Sequence, residues 1–400
     1  MSHYEKLSMT ADADAGSFVR ELKGSTGTGF EKKTHVHKDW WATTISYDDA
    51  MENLQRSAEE REDILEPVKN ISAVVNEDGE FAFDVQGREF VPTDWSLQQF
   101  SIRSNVPSST VIQKLRLQED FDADDAAIMA GLANNALRRL NQDKIYRMRT
   151  YTDGTCRAFV TDRYAPIDNR WYLEQLQNNL PEGRLSHWRG DEDTIFGNIL
   201  LPDTIIDYGQ SDDSDYGGMM SIGNCEIGKR RIQQVPSLFR SICLNGCIWG
   251  QVSGSAIKKR HIGNIDLVEL GGQITANINE QLPLLPMGVR KLLELRELDC
   301  LDATMKSVFA AVAMENKFSK NEASEVLSQW AHNESQDKNL FGVVNSITRA
   351  GQVFNNQSWV KFDQIGGSML DISESRWSGL VSRAKTLTDK DFEKVYAGTV

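Results

Sequence analysis

The chain has 400 residues, a formal net charge of −14 and five cysteines. That length can bury a core without covalent staples. Five cysteines without a C-x-x-C pair argue for reduced thiols and a cytoplasmic location over a disulfide framework. The N-terminal stretch MSHYEKLSMTADADAG lacks the apolar segment of a secretory signal, and no apolar run reaches the roughly 18 residues of a membrane span.

Residues 1–70 read as an N-terminal arm. Its GSTGTG stretch, Gly24 to Gly29, lacks the Lys-Ser/Thr of a P-loop and has no strand before it, so it reads as a flexible linker. Basic and aromatic residues follow: Lys32, Lys33, His35, His37, Lys38, Trp40 and Trp41. His35 and His37 would share one face of an extended segment, but no third metal ligand is placed beside them. Residues 48–66 are acidic and predict a short helix stopped by Pro67.

Residues 71–280 read as an α+β core domain. Alternating apolar residues flank Asp78-Gly79, which predicts a hairpin. Thr93 is placed to cap a short helix with Leu97 and Phe100 on one side, and Ser108 or Ser109 to cap another. A longer helix follows, with Ile128, Leu132 and Leu137 on its apolar stripe. KIYRMRTYTDGTCRAFV predicts two strands around Asp153-Gly154, with Met148 opposite Phe159 and Arg149 opposite Ala158. Tyr146, Met148 and Phe159 would then face a core. Arg147, Arg149 and Tyr151 would face outward, with the guanidinium heads in water.

RWYLEQLQNNL predicts an amphipathic helix. TIFGNILLP, MSIGNCEIG, SICLNGCIWG and NIDLVEL read as further strands. In SICLNGCIWG, Asn245-Gly246 favours a type I′ turn that pairs Leu244 with Cys247. Cys243 and Cys247 then point to opposite faces, which argues against a zinc site built from them with Cys225 and His261.

Residues 281–400 read as mainly helical. Ser319-x-x-Glu322 is a capping-box signature, and Thr388-x-x-Asp391 opens a last helix. The predicted fold class is α+β: a twisted antiparallel sheet with flanking helices and a helical C-terminal region.

Several segments in order resemble an uncharacterised phage/plasmid-like protein family found in phages, prophages and plasmids. They are REFVPTDWSLQQFSIRSNVP, LANNALRRL, YRMRTYTDGTCRAFVTDRYAPIDN, GNCEIGKRRIQQVPSLFRSICLNG and VVNSITRAGQ, spanning roughly Arg88 to Gln352. The resemblance implies a mobile-element protein encoded among accessory, replication or recombination genes. It implies no catalytic residues.

Charge is unevenly distributed. Between Cys225 and Gly263, seven cations stand against one acid, Glu226, for a local charge of +6; the remaining chain carries −20. A local basic stripe, not the total charge, sets phosphate contact. Single-stranded nucleic acid needs cations along a groove and aromatic faces for bases. The candidate phosphate contacts are Arg147, Arg149, Lys229, Arg230, Arg231, Arg240, Lys258, Lys259 and Arg260, and the stacking candidates are Tyr151, Trp249, Trp40 and Trp41. The expected activity is non-enzymatic single-stranded DNA binding in replication or recombination, with strand annealing as one form. Expected partners are single-stranded DNA, a second copy of the chain, and phage or host replication proteins, with no membrane, metal or cofactor. Two alternatives remain: an acidic DNA mimic that blocks a host DNA-binding protein, and a metal-dependent nuclease. The nuclease would need isolated acids in apolar strands, whereas the acids here run together in polar segments.

Overall fold

The computed structural model describes residues 44–105, 121–190, 193–204, 206–207, 215–240, 245–248, 257–300, 302–354 and 356–396. The first helix, α1 (Tyr47–Glu60), opens on a capping box in which Ser46 and Asp49 bond each other's backbone N–H. It ends seven residues short of Pro67. From Arg61 the backbone is extended and forms β1 (Arg61–Pro67), so pairing within a sheet overrides the helical pattern of this acidic stretch.

Next come β2 (Ile71–Val75), β3 (Phe81–Val85) and β4 (Arg88–Pro92), followed by α2 (Asp94–Ser104). Thr93 caps α2, and Leu97 and Phe100 are buried beneath it. The Asp78-Gly79 hairpin joins β2 to β3, with Gly79 in the left-handed region at φ 81°. Ser108 and Ser109 lie outside the described residues. After α3 (Ala123–Arg139) come β5 (Ile145–Tyr151) and β6 (Thr155–Thr161). Met148 pairs with Phe159 and Arg149 with Ala158, as the sequence predicts. A bulge after Arg149 then shifts the register to Thr150–Cys156.

These strands form a six-stranded sheet in the order β1-β5-β6-β4-β3-β2. All pairs are antiparallel except β4 with β6, which run parallel. An aromatic cluster fills one side. Phe100 meets Phe83 and Phe159 edge-on, at centroid distances of 5.1 and 5.3 Å.

The α3 helix covers this side with a face that includes Leu137 but not the other two residues expected on its stripe. Ala126, Met129, Ala130, Ala133, Ala136 and Leu137 are buried, whereas Ile128 and Leu132 are 58% and 43% exposed. Alanines let the helix lie close on β2 and β3, so the small residues define the packed stripe. From the same helix, the Asn134 amide accepts from Ala73 N–H at 2.8 Å and donates to Ala73 C=O at 2.7 Å. It takes the place of a neighbouring strand on the free edge of β2.

After α4 (Asn169–Asn179), a second sheet is built from β7 (Arg184–Gly190), β8 (Thr194–Leu200), β9 (Ile206–Asp207), β10 (Asp215–Cys225), β11 (Ile232–Arg240), β12 (Asn245–Ile248) and β13 (Ile257–Lys259). Its main path is β12-β11-β10-β8-β7, with β9 on β10 and β13 on β11. Asn245 and Gly246 do not form the turn. They lie in β12, paired with Arg240 and Phe239 of β11, and Cys247 pairs with Leu238 in place of the expected Leu244.

NIDLVEL is not a strand. Asp266 accepts from the N–H groups of Val268 and Glu269 and caps α5 (Leu267–Gln281). The remaining helices are α6 (Leu285–Glu294), α7 (Met305–Glu315), α8 (Lys320–Gln329), α9 (Leu340–Gly351), α10 (Asn356–Met369), α11 (Glu374–Ala384) and α12 (Asp389–Val395). Both expected capping boxes, at Ser319/Glu322 and Thr388/Asp391, are present. At Gly218 of β10 a Cβ would fall 2.6 Å from the Leu285 side chain, so the absence of a side chain there lets α6 seat on the sheet. The fold is therefore α+β with a helical C-terminal region, and it contains two sheets where one was expected. Among the described residues no helix is long and apolar enough to cross a membrane.

Asn134→Ala removes both bonds to Ala73. Urea unfolding should show a loss of about 1–3 kcal/mol, with the denaturant slope unchanged.

Candidate nucleic-acid interface

The turn between β10 and β11 joins the two sheets. It runs Cys225, Glu226, Ile227, Gly228, Lys229, Arg230, Arg231, with its first half buried and its second half facing solvent. The Ile227 carbonyl accepts from Trp95 Nε1 at 2.9 Å and Gln99 Nε2 at 2.7 Å, both on α2. Tyr164 donates its hydroxyl to the carbonyls of Glu226 and Cys225, at 2.8 and 3.2 Å. Gly228 has φ 80°, and a Cβ there would meet Tyr164 and Gln99 at 3.3 and 3.4 Å. The left-handed backbone favours glycine there, and the space leaves a Cβ only a tight fit.

The Glu226 side chain, 2% exposed, enters the six-stranded sheet. Its carboxylate accepts from Arg61, from Arg149 Nη1 at 3.0 Å and from the Asn169 N–H at 2.6 Å. Asp63 accepts from Arg149 Nε and Nη2 at 2.8 and 2.9 Å and from Arg147 at 2.8 Å. Arg61 also reaches Asp168 at 2.8 Å. Three guanidinium groups thus face three carboxylates. Burial raises the Glu226 pKa, against the lowering pull of Arg61 and Arg149. Burial alone would lower that of Arg149, but its bonds to Asp63 and the charge of Glu226 outweigh burial and keep it firmly charged.

This network corrects part of the predicted site. Arg149 is 3% exposed and is consumed by Asp63 and Glu226, so its head is not in water. Arg147 is paired with Asp63. Tyr151 is buried, donates to Asp193 at 2.9 Å, and has the Arg157 guanidinium 3.9 Å above its ring, which leaves no face for a base. The expected outward face of this hairpin is an internal surface, because the β10–β11 turn packs on it. Arg240 is also buried, forked onto Glu334 at 2.9 and 3.1 Å. Trp40, Trp41 and Trp249 lie outside the described residues.

The other six predicted cations come together. β13 pairs with β11 so that Lys258 faces Gln233 and Lys259 faces Ile232. Arg260 follows the end of β13 and Arg231 precedes the start of β11, so both stand at the same end of this pair, beside the turn that also bears Lys229 and Arg230. Lys229, Arg231 and Arg260 are exposed; Arg230, Lys258 and Lys259 are half-buried. Partial burial, and then the charge of Arg231, lower the Lys258 pKa. Arg230 lies 5.8 Å above the Phe196 ring. Among the described residues none of the six forms an ion pair.

Cys225 and His261, which a zinc site would have used, are engaged elsewhere. The Cys225 sulfur accepts from Thr194 at 3.4 Å, and burial raises its thiol pKa. His261 stacks on Tyr164 at 5.4 Å with its Nδ1 3.2 Å from the Ala165 carbonyl. Among the described residues no group of three or more His, Cys, Asp or Glu is placed to hold a metal. No family model, curated protein or solved structure matches the chain.

Sequence reasoning missed Arg61, Asp63, Asp168 and Glu226 as a unit. One signal was present: Glu226 is the single acid in the basic window.

Removing one partner from a buried charged network leaves the others unpaired, so Glu226→Ala should cost about 3–5 kcal/mol in chemical denaturation. His261 supplies a pH dependence. Burial lowers its pKa to about 4, from 6.5 in the unfolded chain. The unfolded state therefore binds the proton first, and stability is lost as pH falls from 6.5 towards 4. At pH 5 the loss from this group should be about 2 kcal/mol, and His261→Phe should remove most of it in urea titrations at pH 7 and 5. Asp63, whose pKa is lowered by Arg149 and Arg147 against the effect of burial, acts only at more acid pH.

Proposed function

We propose that the protein is a non-enzymatic single-stranded DNA-binding protein of a phage or related mobile element. It acts in replication or recombination in the host cytoplasm, with strand annealing and self-association as forms of that activity. The observation that carries this is the edge where Lys229, Arg230, Arg231, Lys258, Lys259 and Arg260 converge without carboxylate partners among the described residues, in a chain of net charge −14. Like charges brought together repel one another, and a bound polyanion relieves that repulsion while releasing its own counterions. An acidic decoy would have no use for such an edge. The mobile-element assignment rests on the sequence resemblance, and the nucleic-acid assignment on the edge.

Fluorescence anisotropy of a labelled oligothymidylate tests it. Six phosphate contacts predict a slope of about −4 in log K against log salt for a single strand. Lys258→Glu, Lys259→Glu and Arg260→Glu together should abolish binding and leave the circular dichroism spectrum intact. Unchanged affinity in that triple variant would sink the assignment. A DNA mimic would show no binding at either low or high salt.

A further inference from the structure

The cations of this edge have a further neighbour on a segment that lies outside the basic window of the sequence. Lys259 pairs with the fully buried Ile232 and shares its face, so its stem lies towards the core. Lys258 takes the opposite face, and Arg260 follows the end of the strand two residues on. That is about 6.6–6.8 Å along an extended chain, a step matched to one nucleotide repeat of a stretched single strand.

Beyond Arg260 the chain is zipped to the loop after β6. Gly263 N–H donates to the Arg163 carbonyl at 2.8 Å, and Ala165 N–H donates to the His261 carbonyl at 3.1 Å. Tyr164 and Ile262 form a bridge between these two. The stacked Tyr164 and His261 rings stiffen the junction. Arg163 is exposed, and no carboxylate pairs with it among the described residues. Backbone pairing sets Arg163 opposite Gly263, three residues past Arg260, so a separate part of the chain adds a cation beside the end of β13.

We propose that this edge takes an extended single-stranded nucleic acid running along β13 and out over the 162–165 loop, with Arg163 as a further phosphate contact. The proposal rests on the nucleic-acid reading above and adds to it a path and a residue. Cations spread along β13 and onto the neighbouring loop fit an anion whose charges are spread along a chain better than a compact one.

The test uses the full chain and a labelled twelve-nucleotide oligothymidylate over a salt series. Arg163→Ala should weaken binding several-fold and make the salt slope shallower by about 0.7, with an unchanged melting temperature. Arg163→Lys, which keeps the charge, should restore the slope. Tripolyphosphate at equal charge concentration should displace the oligonucleotide poorly. An Arg163→Ala variant with wild-type affinity and slope would overturn the path while leaving the binding assignment standing. Equal displacement by tripolyphosphate would also overturn it, in favour of a compact-anion site. Failure of the wild-type protein to bind at low salt would overturn the underlying assignment itself.

Discussion

The molecule depends on one buried carboxylate. Glu226 sits at a turn of the second sheet, and its partners, Arg61 and Arg149, belong to the first. A carboxylate this deep would be costly alone, and so would either guanidinium. Asp63 and Asp168, together with Arg147, bring the group to electrical balance, and the Asn169 N–H and the Glu226 carbonyl add further bonds to it. The two sheets share no strand. This polar junction, flanked by Ala158, Val160, Cys225 and Ile227, is a principal place where they meet.

The same turn sorts charge by position. Its buried half holds the acid, and its outer half holds Lys229, Arg230 and Arg231. Because Trp95 and Gln99 grip the Ile227 carbonyl two residues upstream of Lys229, the cations start from a rigid base. An interface of pre-placed charges loses less conformational freedom on binding than one built from a loose loop. The three arginines that look equally basic in the sequence, Arg147, Arg149 and Arg240, serve the opposite purpose, since each is neutralised by a carboxylate.

Local rules carried the reading where local forces decide. Capping boxes at Ser319 and Thr388 need only neighbouring residues. The β5–β6 register follows from alternation and the turn at Gly154. Expectations failed where a distant partner intervened. Arg149 looked solvent-facing because Asp63 and Glu226 lie 86 and 77 positions away. The packed face of α3 was partly misplaced because alanine gives little hydrophobic signal, yet it allows close approach to the sheet. The Asn245-Gly246 pair names a favoured turn, but it lies in β12, paired with β11. The six-cation edge was legible as a window of charge. Arg163 was not, because only backbone pairing across nearly a hundred residues brings it there.

The span of that central junction has a kinetic consequence. Arg61 and Glu226 are separated by 165 positions, so their contact closes a very long loop. Such contacts form late, after local hairpins and helices have reduced the search. While the chain emerges from the ribosome, β1 and β5 can pair long before Glu226 exists. During that interval Arg61 and Arg149 lack their deepest partner, and the internal surface that will receive the turn stays open to water. Closure of the junction then seals this surface and sets the basic turn in the same event. Placement of the basic turn and its neighbouring strand is thereby tied to completion of the fold.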